Sequence, residues 1–222
     1  MRKIFILLMA LLFLSCGSAT KEKDLEIDGN KLISRRPPFT LTFPTEHQLA
    51  HSSDVEYPNE SSRTRSYFFI KEKGKQVEEI LIIQIADKTN PQAEAMTAPP
   101  LKPETTKRMY SNGKIKRSGL EIDYLIQLIA WNPSALSLQP IVEKGIVIPP
   151  RWALQGQFLF LYQGEHAVFF RHSKNISSFG IEMSEKGDDW GKDVISGNEK
   201  KAYESFQNSF MQMMDSIQIK NQ

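Results

Sequence analysis

The sequence predicts a single domain of the α+β class, in which an antiparallel β-sheet packs against a helix. Two observations lead to this fold class. Short β-type runs separated by Gly, Pro and Asn follow one another as far as residue 171, which is typical of antiparallel strands. The period then changes, because apolar residues between positions 202 and 217 recur at steps of three and four, as on one face of a helix. Residues 39–219, about 180 in number, suit one domain with a substantial core.

The predicted strands are bounded by turn signals. Residues 39–43 alternate apolar and polar side chains and stop at Pro44, so they predict a half-buried first strand. Gly74 between two β-type runs predicts a hairpin, and Asn112-Gly113 predicts another tight turn. Residues 80–83 have no polar break, which indicates a strand covered on both faces. The other predicted strands are residues 63–70, 77–86, 124–131, 158–162 and 167–171, the last two joined by a hairpin turn at 163–165.

Two irregular segments, 87–107 and 132–156, each contain several prolines. Within them, residues 93–96 could form a helical turn and residues 146–148 a short strand. Loops of this length in a compact domain are often where binding occurs. We therefore expect a binding surface to include one of these two segments.

The predicted helix begins near Glu199 and carries one broad apolar face. Ser196 lies three residues before Glu199, a spacing that predicts a capping box. The Phe and Met side chains on this face could contact a partner, but packing against the sheet is favoured. Residues 216–219 then predict a short extended tail or a final strand. The apolar face consists of Ala202, Tyr203, Phe206, Phe210, Met213, Met214 and Ile217.

Residues 1–16 predict export and attachment to a lipid. Two basic residues at 2–3 precede an apolar run at 4–14, which is shorter than the roughly 20 residues that cross a bilayer. Cys16, the only cysteine, follows a small residue in a pattern that resembles the lipobox of bacterial lipoproteins, in which this cysteine is acylated. Two alternatives stay open. One is ordinary secretion with cleavage after Ala19. In the other, Cys16 is unmodified and only contributes an apolar side chain to a signal peptide.

These patterns divide the chain into a signal peptide at 1–15, a lipidated flexible tether at 16–37 and a globular domain at 38–222. The tether is rich in Ser, Thr, Lys, Glu and Asp and has no apolar period, so it cannot bury enough surface to offset its ordering entropy. A bacterial lipoprotein carries three acyl chains, so we expect a permanent membrane anchor. Gly17 stands where an aspartate would mark retention in the inner membrane, which favours the outer membrane of the bacterial envelope.

The charge balance gives no reason to expect nucleic acid as a partner. The full chain has a formal net charge of +2, from 28 Lys and Arg against 26 Asp and Glu. Removal of residues 1–15 also removes Arg2 and Lys3, which leaves the rest of the chain about neutral. Nucleic-acid binding depends on clustered basic residues. The expected membrane contact comes instead from the lipid at Cys16.

The order of the elements resembles a known fold family. A first strand of the form Phe-x-Leu-x-Phe-Pro at 39–44 is followed by antiparallel strands and by a late helix with Phe206 and Phe210 that runs into residues 214–217. This order is similar to that of Mog1/PsbP-like proteins, a pattern familiar from small bacterial lipoproteins. The resemblance implies an α/β/α sandwich, in which helices flank the antiparallel sheet. It also implies binding without catalysis, since the relatives include a Ran-binding protein and an extrinsic subunit of photosystem II.

The sequence contains none of the familiar nucleophile, zinc-protease or phosphate-binding motifs, so we expect a protein that is not an enzyme and that has no cofactor or metal. His47 and His51 are four residues apart, a spacing that would place them on one face of a helix. Their surroundings are rich in Ser, Asp and Pro and predict a loop instead. Metal binding by this pair is therefore not expected.

His166 and His172 bracket a predicted strand and share one of its faces, since their spacing is even. With Glu165 or Glu182 they could form a site. Zinc needs three or four converging ligands, however, and two histidines about 20 Å apart along a strand cannot share one ion. We therefore expect both histidines to face solvent.

Two tryptophans and an acidic segment complete the candidate residues. Trp152 and Trp190 lie beside irregular segments, and tryptophan is enriched at interface hot spots. Both are therefore candidates for contact with a partner, with packing in the core or at a sheet edge as the alternative. The acidic segment could hold calcium or act in acid–base catalysis, but a solvated charged loop is favoured. Its residues are Glu182, Glu185, Asp188 and Asp189.

The function expected from these observations is that of a non-catalytic envelope lipoprotein whose long loops bind a protein partner or an envelope component. One alternative is a carrier or sensor of a small apolar or lipid ligand, which requires an enclosed pocket lined by Phe and Leu. Another alternative is a hydrolase or a metal-dependent enzyme. That alternative requires acids and histidines to converge within hydrogen-bond reach in a cleft.

Overall fold

A computed structural model of the chain describes residues 24–43, 47–74, 76–135, 138–149, 152–182 and 190–219. Within these residues the protein is mostly antiparallel β-sheet, arranged as one sheet of four strands and one of seven. The predicted lipid-attachment residue Cys16 and the predicted signal peptide at 1–15 lie outside the described residues. None of the helices in the described part of the chain has the length and apolar character needed to cross a membrane.

The four-stranded sheet is built from both ends of the domain. Its strands are β1 (Leu25–Asp28), β2 (Lys31–Arg35), β3 (Pro38–Thr42) and β11 (Gln218–Ile219), in the order β1-β2-β3-β11. The predicted first strand is confirmed as β3, but two more strands precede it. The predicted final strand is confirmed as β11.

The predicted tether at 16–37 is therefore wrong from Leu25 onward. The side chain of Leu32 in β2 has no exposed surface and belongs to the main core. β2 also forms a complete antiparallel ladder with β3. These short half-buried strands are stabilised by long-range pairing and packing, which the polar composition of the segment conceals.

The seven-stranded sheet consists of β4 (Gln48–Tyr57), β5 (Ser62–Lys73), β6 (Gln76–Lys88), β7 (Tyr110–Arg117), β8 (Leu120–Ala130), β9 (Trp152–Tyr162) and β10 (His166–Asn175). The strand order is β4-β5-β6-β10-β9-β8-β7, and the sheet contains both predicted hairpins, β5–β6 and β9–β10. The tight turn predicted at Asn112-Gly113 is wrong, because both residues lie within β7. The chain turns instead at Ser118-Gly119, where both residues have positive φ as a two-residue hairpin turn requires.

The predicted late helix is confirmed as α2 (Gly197–Asp215), and every apolar position predicted on its inner face is buried. Ser196 is the N-cap residue, but its side chain makes no capping hydrogen bond, so the predicted capping box is not formed. α2 lies very close to β9 at Gly156, where an added Cβ would be 2.4 Å from the Phe210 ring. The shorter helices are α1 (Gln139–Val142) and the 3-10 turns Pro58–Glu60 and Ile176–Phe179.

The seven-stranded sheet is covered on both faces, as the apolar run at 80–83 predicted. Leu81 and Ile83 of β6 point to a core shared with α2 and the four-stranded sheet. Ile80 and Ile82 point to a second core, which is closed by Trp131, Leu138 and Ile148 and by Ile141 of the short helix that follows Leu138. The expected α/β/α sandwich is therefore corrected. In the described residues one long helix and a second sheet cover one face, and an irregular segment with a single helical turn covers the other.

The two irregular segments are largely confirmed. Residues 89–109 form no helix or strand, and the helical turn expected at 93–96 is absent from this described segment. Val147 forms an isolated bridge with Gln76 in place of the expected strand at 146–148. The second segment ends earlier than predicted, since β9 already begins at Trp152.

Candidate functional site

One face of β6 carries a buried carboxylate at each end of an apolar row. Side chains alternate along a strand, so the odd-numbered residues from Glu79 to Asp87 share this face. The three residues between these two acids are apolar and buried. The adjacent strand β10 places His172 and His166 on the same face, one near each acid. Two separate clusters of ionisable groups result.

The first, which we call the Glu79 cluster, consists of Glu79, His172 and His47. Nε2 of His172 lies 2.9 Å from Oε2 of Glu79, and Nε2 of His47 lies 3.6 Å from the same oxygen. One ligand atom from each of the three residues lies within 4.8 Å of the other two. The three side chains are 2%, 4% and 0% exposed, respectively. The cluster is thus a compact set of two imidazoles and one carboxylate, closed to solvent.

Two lysines contact the other oxygen of Glu79. The strand register places Lys71 of β5 and Lys174 of β10 directly beside Glu79. Their Nζ atoms lie 3.5 Å and 3.1 Å from Oε1. Burial acts to raise the pKa of the Glu79 carboxyl, but the hydrogen bond with His172 and the charges of His172 and Lys174 hold that pKa well below its usual range. Glu79 is therefore ionised at neutral pH.

A polar cleft lies beside the Glu79 cluster. Its volume is about 570 Å³, and its wall includes His47 and Lys71. Two glycines, Gly29 of the β1–β2 turn and Gly74 of the β5–β6 turn, also line it. His47 thus forms part of the wall between this cleft and the Glu79 cluster, although its side chain has no exposed surface.

The second cluster, the Asp87 cluster, consists of Asp87, His166 and Arg65. Nδ1 of His166 lies 2.6 Å from Oδ1 of Asp87. Arg65 donates to both carboxylate oxygens, from Nε at 3.0 Å and from Nη2 at 3.1 Å, in the bidentate geometry that suits its guanidinium group. Arg65 also pairs with Asp24 at 3.1 Å and donates to the Arg36 carbonyl. The carboxylate of Asp87 is therefore occupied on both oxygens.

The structure corrects the expectation that His166 and His172 face solvent. They share a face as predicted, but both are buried, at 6% and 3% exposure. Their acidic partners are Asp87 and Glu79 rather than the neighbouring Glu165 or Glu182. Burial is possible because the four-stranded sheet and α2 cover this face, which the local sequence does not reveal.

The expectation for His47 and His51 also changes. Both were predicted to lie in a loop, yet His51 is within β4 and packs against the Phe68 ring at 5.6 Å between centroids. His47 lies just before β4 and joins the Glu79 cluster, 125 positions before His172. Sequence reasoning missed Glu79 altogether. The signal that could have revealed it is a charged residue pointing to the buried face of an otherwise apolar strand.

The acidic segment before Trp190 is described only in part. Glu182 is exposed, as expected for a solvated loop. Glu185, Asp188 and Asp189 lie outside the described residues, so the expectation for them stays a prediction.

Trp190 has no exposed surface and packs in the main core, which corresponds to the core alternative for this residue. Its side chain is not accessible to a partner in this structure. Its carbonyl accepts a hydrogen bond from the Met109 amide at 2.7 Å. The adjacent Gly191 pairs with Arg108, so the segment that follows Trp190 lies against the end of the 89–109 loop.

Trp152 is half-buried at the start of β9, and its role as a partner contact stays a prediction. The Arg108 guanidinium lies over its ring at 4.3 Å from the centroid. Nearby, Nζ of Lys192 lies 3.7 Å from the centroid of the Tyr110 ring. We call Trp152, Arg108, Tyr110 and Lys192 the Trp152 surface. It combines two aromatic rings with two cations.

No protein-family model matches the chain, and comparison with curated proteins and with solved structures also gives no match.

Proposed function

We propose that the protein is a lipid-anchored component of the bacterial envelope that acts as a non-catalytic binding module for a protein partner or an envelope component. The observation that carries the proposal is the sequence around Cys16. A basic start, an apolar run of eleven residues and a small residue precede the only cysteine of the chain. An unpaired cysteine in an exported protein is unusual unless it is modified. The outer membrane is the favoured location, because Gly17 rather than aspartate follows Cys16.

The Trp152 surface supports a binding role for the folded part. Tryptophan, tyrosine and arginine are the residue types most enriched among interface hot spots. Arg108 and Lys192 lie over aromatic rings, so a partner that contacts one member of the surface meets both apolar area and positive charge. This combination suits a partner with an acidic group next to an apolar or planar one.

Two further observations favour this proposal over the alternatives. An apolar-ligand carrier needs space between the sheet and the helix, but the contact of Phe210 with Gly156 closes the interface between α2 and β9. A hydrolase needs substrate to reach its acids and histidines. The side chains of the Glu79 cluster are almost without exposed surface, which favours a structural role for them over a catalytic one.

Metabolic labelling with palmitate tests the anchor. We expect label on the wild-type chain and none on Cys16→Ala, with the wild-type chain recovered in the outer-membrane fraction. A Ser18→Ala variant is the matched control, since it changes a neighbouring small residue and should keep the label. Equal labelling of wild type and Cys16→Ala would contradict the proposed anchor.

Photo-crosslinking in intact cells tests the binding surface. A crosslinking residue replaces the exposed Lys192, and the yield of each identified adduct is compared in chains with Trp152 and with Trp152→Ala. We expect a defined adduct that is lost in Trp152→Ala. The control position is Val55, which is 43% exposed on β4 at the opposite edge of the seven-stranded sheet. Adducts that are the same at both positions and insensitive to Trp152→Ala would contradict the Trp152 surface.

A further inference from the structure

We propose that the Glu79 cluster is a binding site for one divalent metal ion of the zinc type, held by Nε2 of His47, Nε2 of His172 and Oε2 of Glu79. This inference does not depend on the lipid anchor or on the Trp152 surface. Two imidazoles and one carboxylate form a known donor set for zinc, which takes nitrogen, sulfur and oxygen ligands at four positions. The three residues come from three separate segments, which the β-sheet brings together.

The distances suit such an ion. Tetrahedral zinc with bonds of about 2.0–2.1 Å separates neighbouring ligand atoms by about 3.3–3.4 Å. The two separations from Oε2 of Glu79 are 2.9 Å to His172 and 3.6 Å to His47, on either side of that value. One ligand nitrogen of each imidazole lies within 4.8 Å of one on the other. Shifts of a few tenths of an ångström at each carboxylate contact, together with an adjustment of the two rings, give the required geometry.

The surroundings orient the donors. The His172 ring packs on Phe206 at 5.2 Å between centroids, and the His47 ring packs edge-on against Phe43 at 6.0 Å. The two imidazoles meet each other edge-to-face at 84°, with both Nε2 atoms near the same carboxylate oxygen. The ion pairs of Lys174 and Lys71 with Glu79 run to Oε1, whereas the Nε2 atoms of both imidazoles lie near Oε2, so lysines and imidazoles approach different oxygens of the carboxylate. Groups that fix a ligand in this way strengthen metal sites.

The choice of metal follows from the donors and from the two lysines. Calcium and magnesium take mostly oxygen ligands, six or more for calcium, whereas imidazole nitrogens suit zinc and similar transition metals. The lysine ammonium groups repel any cation, but both lysine side chains are partly exposed, at 36% and 27%, so water screens much of their charge. An ion that binds imidazole strongly is therefore required, and calcium is excluded as the resident ion.

The Asp87 cluster provides a matched control. His166 is also a buried histidine on β10, faces the same core and pairs with a carboxylate. Arg65 occupies both oxygens of that carboxylate, and no second histidine takes part in this cluster as the structure describes it. His166→Gln should therefore disturb a buried histidine–carboxylate pair without touching the proposed metal ligands.

The experiment is a titration of the purified full-length chain in detergent with Zn²⁺ alone, followed by calorimetry and metal analysis. We expect one equivalent of Zn²⁺ per chain and no binding of Ca²⁺ at the same concentration. Loss of a residue that only hydrogen-bonds a metal ligand lowers metal affinity about 10- to 100-fold. His47→Gln and His172→Gln each remove a ligand itself, so each should lower the affinity for Zn²⁺ by more than about 100-fold. His166→Gln should keep the wild-type stoichiometry. A wild-type chain that binds no Zn²⁺, or an equal loss in His166→Gln, would overturn the proposal.

A second measurement needs no variant and therefore does not depend on how the variants fold. The chain contains four histidines, and ¹⁵N labelling of their imidazoles makes each visible by NMR. On addition of Zn²⁺, two imidazoles should change their nitrogen shifts with a midpoint at one equivalent, while the other two stay unchanged. Co²⁺ in place of Zn²⁺ should give the visible absorption of a four-coordinate site. Shifts in all four imidazoles together, or in none, would rule the site out.

Discussion

The Glu79 cluster and the Asp87 cluster contain the same histidine–carboxylate pair, but different cations contact the carboxylate. Each places a buried carboxylate of β6 beside a buried histidine of β10, on the same face of one sheet. In the Asp87 cluster Arg65 binds both carboxylate oxygens, and its remaining donors reach Asp24 and the Arg36 carbonyl. In the Glu79 cluster two lysines contact one oxygen, and a second histidine lies near the other.

The cation beside a buried carboxylate decides what else that carboxylate can bind. A planar guanidinium satisfies both oxygens in a fixed geometry, which leaves a closed ion pair. Lysine is a compact charge on a flexible chain, so it neutralises a carboxylate without covering it. The Asp87 cluster therefore links the two sheets through a closed ion pair, whereas in the Glu79 cluster one oxygen and two imidazoles form the proposed metal site.

The largest expected effect is that of Asp87→Asn. This change removes the buried carboxylate that Arg65 binds through two donors, and the guanidinium, only 3% exposed, keeps the partly exposed Asp24 as an anionic partner. Loss of one partner from a buried ion pair typically costs about 3–5 kcal/mol. We expect the free energy of unfolding, measured by equilibrium urea denaturation, to fall by that amount. A loss below about 1 kcal/mol would show that the Asp87 cluster does not brace the fold.

Addition of zinc should produce the next largest effect. A ligand that binds only the folded state stabilises it by about 2.7 kcal/mol at one hundred times its Kd. We expect Zn²⁺ to raise the free energy of unfolding of the wild-type chain and of His166→Gln by similar amounts. His172→Gln should show no such rise. The same rise in all three chains would mean that zinc binds elsewhere.

A smaller effect is expected for Glu79→Gln, together with a change in pH dependence. The two lysines can turn to solvent once the charge is gone, so the loss should be about 1–3 kcal/mol, the cost of a buried hydrogen-bonding group left unsatisfied. The native pKa of Glu79 lies below its ordinary value of 4.5, so its contribution is fully present above pH 4.5 and is lost as the pH falls below it.

Urea denaturation across the acid range tests this dependence. The difference in unfolding free energy between wild type and Glu79→Gln should be constant near neutral pH and should shrink as the pH falls below about 4.5. A difference that grows on acidification would contradict the sign of the pKa shift. Lys200→Gln, a change at an exposed position on α2, is a control that should leave the fall of the unfolding free energy below pH 4.5 unchanged.

The smallest effect is expected for Asp54→Asn. Asp54 pairs with Arg63 on the edge strand β4, with side chains 46% and 33% exposed. It is thus an exposed counterpart of the buried Asp87–Arg65 pair, built from the same residue types on neighbouring strands. Exposed ion pairs contribute about 0–1 kcal/mol. A loss as large as that of Asp87→Asn would mean that burial does not explain the difference between the two pairs.

Local patterns allowed much of the large sheet and of the helix to be predicted. The β5–β6 and β9–β10 hairpins carry their own turn residues, and α2 carries a helical period that matches its buried face. The prediction failed where the structure depends on contacts between distant segments. β1 and β2 look polar and short in sequence, and they are revealed only by the pairing of β1 with β2 and of β2 with β3 and by the burial of Leu32.

The candidate metal site could not be predicted for a related reason. His47, Glu79 and His172 share no spacing motif, and their convergence depends on the strand order β4-β5-β6-β10 and on the register between strands. The sequence correctly placed His166 and His172 on one face of a strand. It did not show that a second sheet covers this face, so it predicted solvent where the structure has a core.

The folded part begins so close to Cys16 in the chain that a lipid on this residue would limit its distance from the membrane. Strand β1 begins at Leu25, nine residues after Cys16. A chain of that length spans at most about 30 Å even when fully extended. With acyl chains on Cys16, the folded body would stay within a few nanometres of the lipid headgroups. Encounters with other membrane-bound molecules would then take place by lateral diffusion in a thin layer, where even a weak affinity can keep two proteins together.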